Sequence, residues 1–399
     1  MKKVYIASYC RSAIGRYLGS LSESDPVKTC ADVINKGMPP EWTADVEKVI
    51  VGSALSGGMG QGPARQIALA AGIPVEVPAY LISMVCGSGM QAVLSAAAEI
   101  RAEESSAVLC GGFEFMSQSG FLMNSKSRKG QKMGDMRLVD LMLQDGLTDA
   151  MNKVHMGLTA EAIAEKMGIT REMQDAYADS ARLKAISAID EGKLEEEIVP
   201  VLVRQGKEWV EFRQDEFPNR TSSPEKLARL KPAFKENGTV TAGNSSGLND
   251  GCAFLILADE AWCQRHGITP LAEFVAGASA GIDPMYMGLG PVEAIGKLLR
   301  KANLRLDEVG SIELNEAFAA QAMGCMMRLE ETEKIAMEAL LERTNQWGSG
   351  IGLGHPLGMT GARITGTLAR RMKAERSQYG IASLCIGGGM GAAVLLRGI

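Results

Sequence analysis

The sequence has very few histidines and no closely spaced cysteine pairs. It contains 3 histidines in 399 residues, and none of its 8 cysteines forms a Cys-x-x-Cys pair. Zinc centres and disulfide frameworks both depend on such short spacings, so the sequence favours neither. We therefore expect no bound metal and no disulfide scaffold. Scattered single thiols are typical of proteins in a reducing compartment, and we expect the cytoplasm.

Long charged runs and long apolar runs are also missing. The formal net charge is −5, and no extended run of Lys and Arg occurs, which disfavours nucleic-acid and membrane-surface binding. No segment reaches the ~18 uninterrupted apolar residues that a transmembrane helix needs. The apolar start at 4–7 is interrupted by Ser8 and Arg11, so it fits a first strand better than a signal peptide.

The chain is instead rich in glycine and in alternating strand and helix patterns. It has 46 glycines and 46% apolar residues. Short apolar runs predict strands, and longer periodic segments predict helices. The predicted strands are 3–8, 46–52, 79–85, 106–112, 253–258 and 381–384, and the predicted helices are 63–71, 90–100, 159–167 and 170–191. This alternation predicts an α/β protein with a parallel sheet covered on both faces.

The middle of the chain differs in composition from its two ends. From about residue 119 to residue 243 it is charged and turn-rich, which predicts an inserted lobe. The part after this lobe repeats landmarks of the part before it, in the same order. The matching pairs are 307–314 with 45–53, 358–359 with 89–90, and 382–385 with 107–110. The sequence therefore predicts a duplicated unit.

Cys86 lies where a predicted strand leads into a predicted helix, within Val85-Cys86-Gly87-Ser88-Gly89. A thiol at the N-terminal end of a helix lies near free N–H groups and the positive end of the helix dipole, which stabilise a thiolate. Gly87 and Gly89 would let the backbone approach whatever the sulfur attacks. The alternative is an unreactive core cysteine beside a tight turn, because free cysteine behaves as a small buried hydrophobe.

Three glycine-flanked polar sites follow late in the chain. They are Asn315-Glu316-Ala317-Phe318-Ala319, Gly352-Leu353-Gly354-His355-Pro356-Leu357-Gly358 and Cys385-Ile386-Gly387-Gly388-Gly389-Met390-Gly391. Ligands bind beyond the carboxyl ends of parallel strands, where Cys86, Asn315 and Cys385 are predicted to lie. A lone histidine is usually a satisfied core or surface residue. His355, in a glycine-rich loop and accompanied by two cysteines at strand ends, is better explained as an acid or base.

These motifs resemble those of the thiolase family, most closely its short-chain, acetoacetyl-CoA-type members. The block Thr239 to Gly251 matches the family as well, and the matching blocks extend from about residue 4 to residue 397. The resemblance implies the thiolase fold, with duplicated βαβ-type halves in a five-layered αβαβα arrangement and an inserted loop lobe. It implies an N-terminal half of residues 1–118 plus 247–267, a lobe of residues 119–246, and a C-terminal half of residues 268–399.

The resemblance also implies the chemistry, which is reversible condensation of two acetyl-CoA molecules to acetoacetyl-CoA and CoA. Cys86 would carry the acyl group as a thioester, and His355 would be the base that activates it. Cys385 would move the proton at the α-carbon of the second acyl-CoA. A water held by Asn315, together with His355, would form one oxyanion site, and backbone N–H groups near Cys86 and Gly387 would form the other. Coenzyme A is substrate and product, and no cofactor is implied.

The inserted lobe is implied to hold coenzyme A. The implied contacts are Leu147, His155, Met156, Phe234, Ala242, Ser246, Gly247, Met287 and Phe318. Without the resemblance, the apolar members Met156, Phe234 and Phe318 would be interpreted as core residues. His155 matches a histidine that borders the pantetheine in short-chain members, and Met287 matches a methionine that crowds the acyl pocket.

Three features depart from the family pattern. The family's arginine before the last helix of the lobe aligns with Asn219, followed by Arg220, which leaves the nucleotide contacts open. The usual Asn-x-x-Gly-Gly is replaced by Asn345-Gln346-Trp347-Gly348-Ser349. The segment 323–342 is longer than usual and strongly helical, which predicts a surface helix.

Two alternative functions stay open. One is a broader 3-ketoacyl-CoA thiolase of fatty-acid degradation, and the other is a non-catalytic acyl-CoA-binding homologue, which the joint presence of Cys86, Asn315, His355 and Cys385 disfavours. Ketoacyl synthases use a cysteine with two histidines, and Cys385 argues against that class. From the resemblance we also expect a homotetramer built as a dimer of dimers, joined through Gly130 to Asp140. We expect no nucleic-acid or membrane partner.

Overall fold

The strands of the molecule are mostly short, and ten of those in the described residues share one sheet. The structure is a computed structural model that describes residues 2–123 and 125–399. Its strands are β1 (Val4–Arg11), β2 (Gly15–Arg16), β3 (Lys48–Gly52), β4 (Ala79–Ile82), β5 (Ala107–Phe115), β6 (Phe121–Met123), β7 (Leu138–Asp140), β8 (Val201–Gln205), β9 (Glu208–Phe212), β10 (Asn249–Ala258), β11 (Ala272–Gly281), β12 (Ser311–Leu314), β13 (Tyr379–Ile386) and β14 (Met390–Arg397).

The helices cover this sheet and build the inserted lobe. They are α1 (Pro26–Gly37), α2 (Pro40–Thr43), α3 (Pro63–Ala70), α4 (Ser88–Arg101), α5 (Met156–Met167), α6 (Arg171–Asp190), α7 (Pro224–Ala228), α8 (Glu260–Arg265), α9 (Gly290–Ala302), α10 (Ala319–Glu333), α11 (Met337–Arg343), α12 (Gly350–Leu353) and α13 (Leu357–Glu375). None of the helices in residues 2–123 and 125–399 is both long enough and apolar enough to cross a membrane.

The sheet consists of two halves with the same strand order. Its order is β4-β3-β5-β10-β1-β11-β14-β13-β12, and β2 pairs with β10. Reading outward from the centre, β1-β10-β5-β3 matches β11-β14-β13-β12, which confirms the duplication predicted from the sequence. The outer pairs β3–β4, β3–β5 and β12–β13 are parallel. The expected all-parallel sheet is wrong for the centre, because β10 and β14 run antiparallel to both of their neighbours.

Side chains alternate between two cores along each strand, as the two-residue period of a strand requires. On β3, Ile50 packs in the middle of the protein with α4 and α13, whereas Val49 and Val51 pack against α1 and α3. On the other side of the molecule, the C-terminal strands pack against α9 and α10. The layers are therefore helix, strand, helix, strand and helix, which confirms the five-layered thiolase arrangement.

The two helices of the middle layer touch backbone to backbone. A Cβ atom added to Gly89 would lie 2.4 Å from the Gly358 carbonyl oxygen, and one added to Gly112 would lie 2.0 Å from the same oxygen. A Cβ atom on Gly87 would lie 2.4 Å from Ile386 Cδ1. Gly87 leaves room for Ile386 on β13. Gly89 and Gly112 let α13 approach closely, and their contact with Gly358 brings the N-terminal ends of α4 and α13 together. Close approach of the backbone to the group that the sulfur attacks stays a prediction.

The predicted elements are present with shifted ends. The strand predicted from residue 253 begins at Asn249, because its polar start pairs with β5 and β2. The helix predicted from residue 159 begins at Met156, because His155 Nδ1 caps it by accepting from the Gly157 N–H. The segment 323–342 is two helices, α10 and α11, broken at Lys334, where φ is +57°. The domain boundaries implied by the resemblance stay a prediction.

Candidate active site

Cys86 lies on a sharp turn between β4 and α4. The preceding residue, Val85, has φ of +48°, an unfavourable conformation for a β-branched residue that marks a strained turn. Ser88 locks the turn, since its Oγ accepts from the Met84 N–H at 2.8 Å and donates to the Val85 carbonyl at 2.7 Å. Cys86 is partly exposed, while the other cysteines in the described part of the chain are buried. The turn therefore presents this sulfur to the site.

The surroundings of Cys86 favour the protonated thiol. Burial raises its pKa to about 12, which outweighs the opposing effect of the Gly387 and Cys86 backbone N–H groups, and the nearby Glu114 charge raises it further. The backbone N–H groups at the helix end thus act in the predicted direction, but burial outweighs them and the resting group is the thiol. The Gly387 and Cys86 N–H groups are also the donors that the resemblance implies for one oxyanion site.

His355 is held by hydrogen bonds on its backbone and on one ring nitrogen. Its N–H donates to Asn249 Oδ1 at 2.9 Å, and its Nδ1 lies 2.6 Å from Thr360 Oγ1. Thr360 Oγ1 also lies 2.8 Å from the Pro356 carbonyl oxygen, which can only accept. Thr360 therefore donates to Pro356, and His355 Nδ1–H donates to Thr360. This network leaves Nε2 as the basic nitrogen.

The imidazole of His355 is neutral at physiological pH. Burial lowers its pKa to about 3, and the positive charge of Arg363 lowers it further. A neutral imidazole whose Nε2 carries no proton can accept one. Asn315 follows the end of β12, and its Nδ2 lies 3.3 Å from His355 Nε2. The Asn315 Oδ1 atom has no hydrogen-bond partner among the described residues.

Cys385 lies at the end of β13 in an apolar cluster. It is 1% exposed and shares this cluster with four residues of the implied coenzyme A site, namely Met156, Phe234, Met287 and Phe318. Burial raises the pKa of Cys385 well above its usual value, and the nearby Cys86 and Cys325 thiols raise it further. The structure therefore brings the second cysteine and these four predicted residues together.

An aromatic stack and a second apolar cluster complete this region. The His155 ring stacks on Phe234 with 4.7 Å between centroids, and Phe234 meets Phe318 edge-on at 6.1 Å. Leu147 packs with Cys86 in the second cluster, away from Cys385. A Cβ atom on Gly387 would lie 3.5 Å from Met156 Sδ. The Gly387 turn therefore adjoins the apolar cluster around Cys385, which we name the acyl cluster.

The remaining implied contacts lie towards the mouth of the site. Ala242 lines a cleft of the lobe, and the basic or polar residues along this cleft include Arg16, Arg182, Asn219 and Arg220. The other two contacts, Ser246 and Gly247, shape the wall: the Ser246 N–H donates to the Ala317 carbonyl, and a Cβ atom on Gly247 would lie 2.2 Å from the Phe217 ring. Arg220 is paired with Asp190 at the surface. The coenzyme A contacts stay predictions.

Sequence reasoning missed three residues that organise the site. Thr360 sets the tautomer of His355, and its only signal is a hydroxyl five residues after the histidine. Glu316 accepts from Tyr177 in the lobe at 3.0 Å and from the Asn345 side chain at 2.8 Å. Glu114 is a buried acid within an apolar strand, and that mismatch is visible in the sequence.

Models of a known protein family match both halves of the chain. Residues 4–261 match the thiolase N-terminal domain and residues 268–398 match the thiolase C-terminal domain. The chain belongs to the thiolase family. This thiolase is 43% identical over 400 residues to an acetyl-CoA acetyltransferase of Escherichia coli, with 100% of this chain and 99% of the relative covered.

Solved structures agree with this assignment. The acetyl-CoA acetyltransferase of Bacillus anthracis is 40% identical and superposes with a TM-score of 0.94, covering 100% of this chain and 99% of that one. Human mitochondrial 3-ketoacyl-CoA thiolase in complex with CoA is 36% identical, with a TM-score of 0.91 and coverage of 100% and 98%. The protein is therefore an enzyme of the thiolase type.

Alkylation of Cys86 tests the electrostatics of the thiolase site. In the ligand-free enzyme, its rate with iodoacetamide should rise about tenfold per pH unit from about pH 7 to about pH 10, because the reactive thiolate is a minor species below a pKa of about 12. Mass spectrometry of the Cys86 peptide measures this rate. A resting thiolate–imidazolium pair with His355 would instead give a rate that is flat over this range.

Proposed function

We propose that this thiolase is an acetyl-CoA C-acetyltransferase, which condenses two acetyl-CoA molecules to acetoacetyl-CoA and CoA and runs thiolysis in reverse. The observation that carries the proposal is that the ends of α4 and α13, which follow Cys86 and His355, pack together, with Asn315 at 3.3 Å from His355 and the Cys385 thiol near Cys86. The names of the E. coli and B. anthracis relatives support the short-chain substrate. The same convergence disfavours a non-catalytic acyl-CoA-binding protein.

In the acylation step, the Cys86 sulfur attacks the thioester carbon of acetyl-CoA while His355 Nε2 accepts the thiol proton. Proton transfer accompanies the attack, because thiol and imidazole are both neutral in the resting site. The Cys86 and Gly387 N–H groups stabilise the oxyanion. The bond to coenzyme A then breaks, Cys385 gives its proton to the departing CoA thiolate, and acetyl-Cys86 remains.

In the condensation step, the Cys385 thiolate removes a proton from the α-carbon of a second acetyl-CoA. This thiolate is stabilised by the imidazolium of His355, which still holds the proton of Cys86. The carbanion attacks the acetyl-Cys86 carbonyl, the carbon–sulfur bond breaks, and His355 returns its proton to the Cys86 sulfur. Asn315 and His355 supply donors for the enolate oxygen of the second acetyl-CoA. All four groups end in their starting protonation states.

The acyl cluster predicts a preference for short chains. Met156, Met287 and Phe318 are each at most 8% exposed around Cys385. Each excluded methylene changes transition-state binding by ~1–3 kcal/mol, or about 10–200-fold. The kcat/KM for thiolysis should therefore be far higher with acetoacetyl-CoA than with 3-ketohexanoyl- or 3-ketodecanoyl-CoA. Met287→Ala should widen the cluster and narrow this gap.

The matched control for this series is Met285→Ala. Met285 lies on the same turn but outside the acyl cluster, so its replacement should leave the chain-length profile unchanged. A flat or rising profile in the unmodified enzyme would remove the short-chain assignment and favour the broader 3-ketoacyl-CoA thiolase. Most of the segment 323–342 packs in the outer C-terminal core, through α10 and α11. Cys325 is the exception, because its thiol lies near Cys385 and donates to the Gly288 carbonyl.

We also propose that the protein is a homotetramer, a dimer of dimers. The support is the resemblance of Gly130 to Asp140 to the joining loop and the exposed apolar side chains of the adjoining hairpin, which include Phe121 and Leu138. Light scattering should give about four times the chain mass of 42.5 kDa. Leu138→Lys should yield dimers, whereas Leu202→Lys on the β8–β9 hairpin should not. A monomer at micromolar concentration would contradict the proposal.

We infer a cytoplasmic location from the cysteines. All eight are unpaired thiols, which is typical of a reducing compartment. Coenzyme A as substrate and product, without metal or other cofactor, is part of the same proposal. Fractionation of the source cells with an antibody to the protein tests the location.

A further inference from the structure

Glu114 is a buried carboxylate at the junction of the two halves. It lies near the end of β5 and is 1% exposed. Its Oε1 accepts from Ser53 Oγ and the Leu55 N–H, both at 2.9 Å. Its Oε2 accepts from the Ala54 and Gly358 N–H groups, both at 2.8 Å. One side chain thus joins a loop of the N-terminal half to the first turn of α13.

The hydrogen bonds fit an ionised carboxylate. Three of its four donors are backbone N–H groups, which cannot accept a proton from a carboxylic acid. Burial raises the pKa of Glu114, and the four hydrogen bonds oppose that rise. Within the described residues, none of its partners is a basic side chain. A buried anion without a cation is costly, and the catalytic steps described above do not use it.

The duplication gives Glu114 a counterpart in the other half. Gly112 on β5 lies opposite the last residue of β3, and Ser383 on β13 lies opposite the last residue of β12. Glu114 lies two residues after Gly112, and Cys385 lies two residues after Ser383. The N-terminal half therefore contributes a fixed carboxylate where the C-terminal half contributes the second cysteine.

The reacting groups follow the same correspondence. Cys86 lies two residues before α4, and His355 lies two residues before α13. Ser53 follows β3 as Asn315 follows β12. The site is thus two copies of one polar arrangement that face each other, and Glu114 is the member whose hydrogen bonds cross between them.

We propose that Glu114 is a positioning residue for this reaction: it fixes the start of α13, and with it the His355 loop, against the 53–55 loop of the N-terminal half, and it holds a negative charge near the Cys86 sulfur. The first part rests on the proposed function, and the second does not. The Gly358 N–H belongs to the free end of α13, where an acidic group is favourable. Leu55, held by the same carboxylate, packs against the cluster that contains Cys86.

The charge of Glu114 acts on the sulfur without direct contact. The titratable groups around Cys86 are Glu114 on β5, Cys385 on β13 and His355 before α13. Glu114 is the one that is charged in the resting site, and its charge adds to the effect of burial in raising the pKa of Cys86. Removing this charge should therefore make the thiol more acidic and more reactive towards a neutral alkylating agent.

The test compares Glu114→Gln with the unmodified enzyme in two assays. Alkylation of ligand-free Cys86 by iodoacetamide at about pH 8 should become about three- to fivefold faster, because the Glu114 charge contributes to the raised pKa of this thiol but contributes less than burial does. Thiolysis should lose about 100-fold in kcat, because a small misplacement of His355 is enough for such a loss. The KM for CoA should change by less than about threefold, since Glu114 lies away from the lobe cleft.

Two further variants separate charge from packing. Glu114→Asp keeps the charge and shortens the side chain, so alkylation should stay within about twofold of the unmodified enzyme while kcat falls. Ser53→Ala removes one uncharged donor and should also leave alkylation within about twofold. These variants carry the test if Glu114→Gln does not fold.

The outcomes distinguish this proposal from the proposed function. Alkylation of Glu114→Gln at or below the unmodified rate would overturn the charge effect, and an unchanged kcat in that variant would overturn the positioning role. If Glu114→Gln is alkylated faster but the unmodified enzyme cannot cleave acetoacetyl-CoA, the proposed function is wrong and the charge effect still holds.

Discussion

Replacement of Cys86 by serine should abolish turnover while leaving the fold intact. Thiolysis of acetoacetyl-CoA should fall by about 10⁴–10⁶-fold, which is the usual cost of removing a catalytic nucleophile. A serine hydroxyl forms almost no alkoxide at neutral pH, so it is a far weaker nucleophile than the thiol even with His355 as the base. The turn should persist, because Ser88 and backbone hydrogen bonds hold it rather than the sulfur.

Two measurements check this result. Steady-state thiolysis gives kcat, and intact mass after brief exposure to acetyl-CoA gives the acetyl group, which should appear once on the unmodified enzyme and not on Cys86→Ser. The matched control is Cys263→Ser, which changes a thiol in the outer core of the N-terminal half and should leave turnover within about twofold. Near-normal thiolysis by Cys86→Ser would show that Cys86 is not the nucleophile.

Replacement of Cys385 by alanine should separate the two half-reactions. Cys86 should still become acetylated, because His355 can return its proton to the departing CoA thiolate in place of Cys385. Formation of acetoacetyl-CoA should fall by about 10²–10⁴-fold, the usual contribution of a general acid–base group. The missing step is removal of the proton at the α-carbon, because the side chains that share the cluster with Cys385 are apolar, Cys86 carries the acetyl group, and the Cys325 thiol donates to the Gly288 carbonyl.

Intact mass after mixing with acetyl-CoA measures the first half-reaction, and the absorbance of acetoacetyl-CoA measures the second. Cys325→Ala is the matched control, since it removes another buried thiol near Cys385. The Cys325 thiol donates to the Gly288 carbonyl and has no role in the proposed steps. The condensation rate of this variant should stay within a few-fold. Failure of Cys385→Ala to accept acetyl at all would assign Cys385 an earlier or structural role.

The meeting of the four principal residues could be predicted because each follows a local pattern. Asn315 and Cys385 were expected at the ends of strands, and β12 and β13 are parallel neighbours, which brings these two ends to one edge of the sheet. Cys86 was expected at the end of another strand, and it joins them because α4 and α13 pack together. His355 was expected from the glycine and proline around it. These signals lie within a few residues of the chain, so they survive without knowledge of the fold.

The electrostatics could not be predicted in the same way. The position of Cys86 before a helix favours a thiolate, but burial from the opposite half of the molecule outweighs that effect. Glu114 and Thr360 act through hydrogen bonds whose donors and acceptors depend on how α13 meets β5 and its own preceding loop. Such contacts depend on the register of elements far apart in sequence, which local patterns do not contain.

The shared middle layer also decides when the enzyme can fold during its synthesis. The core around α4 and α13 draws on residues from Val4 to Leu396, so it closes only when β14 is in place. Domains normally fold in order as the ribosome releases them, at about 5–20 residues per second. Here the apolar inner face of α4 stays uncovered until nearly the whole chain has been synthesised. We expect nascent chains that stop before α13 to need chaperones and to lack activity, because neither half can complete its core alone.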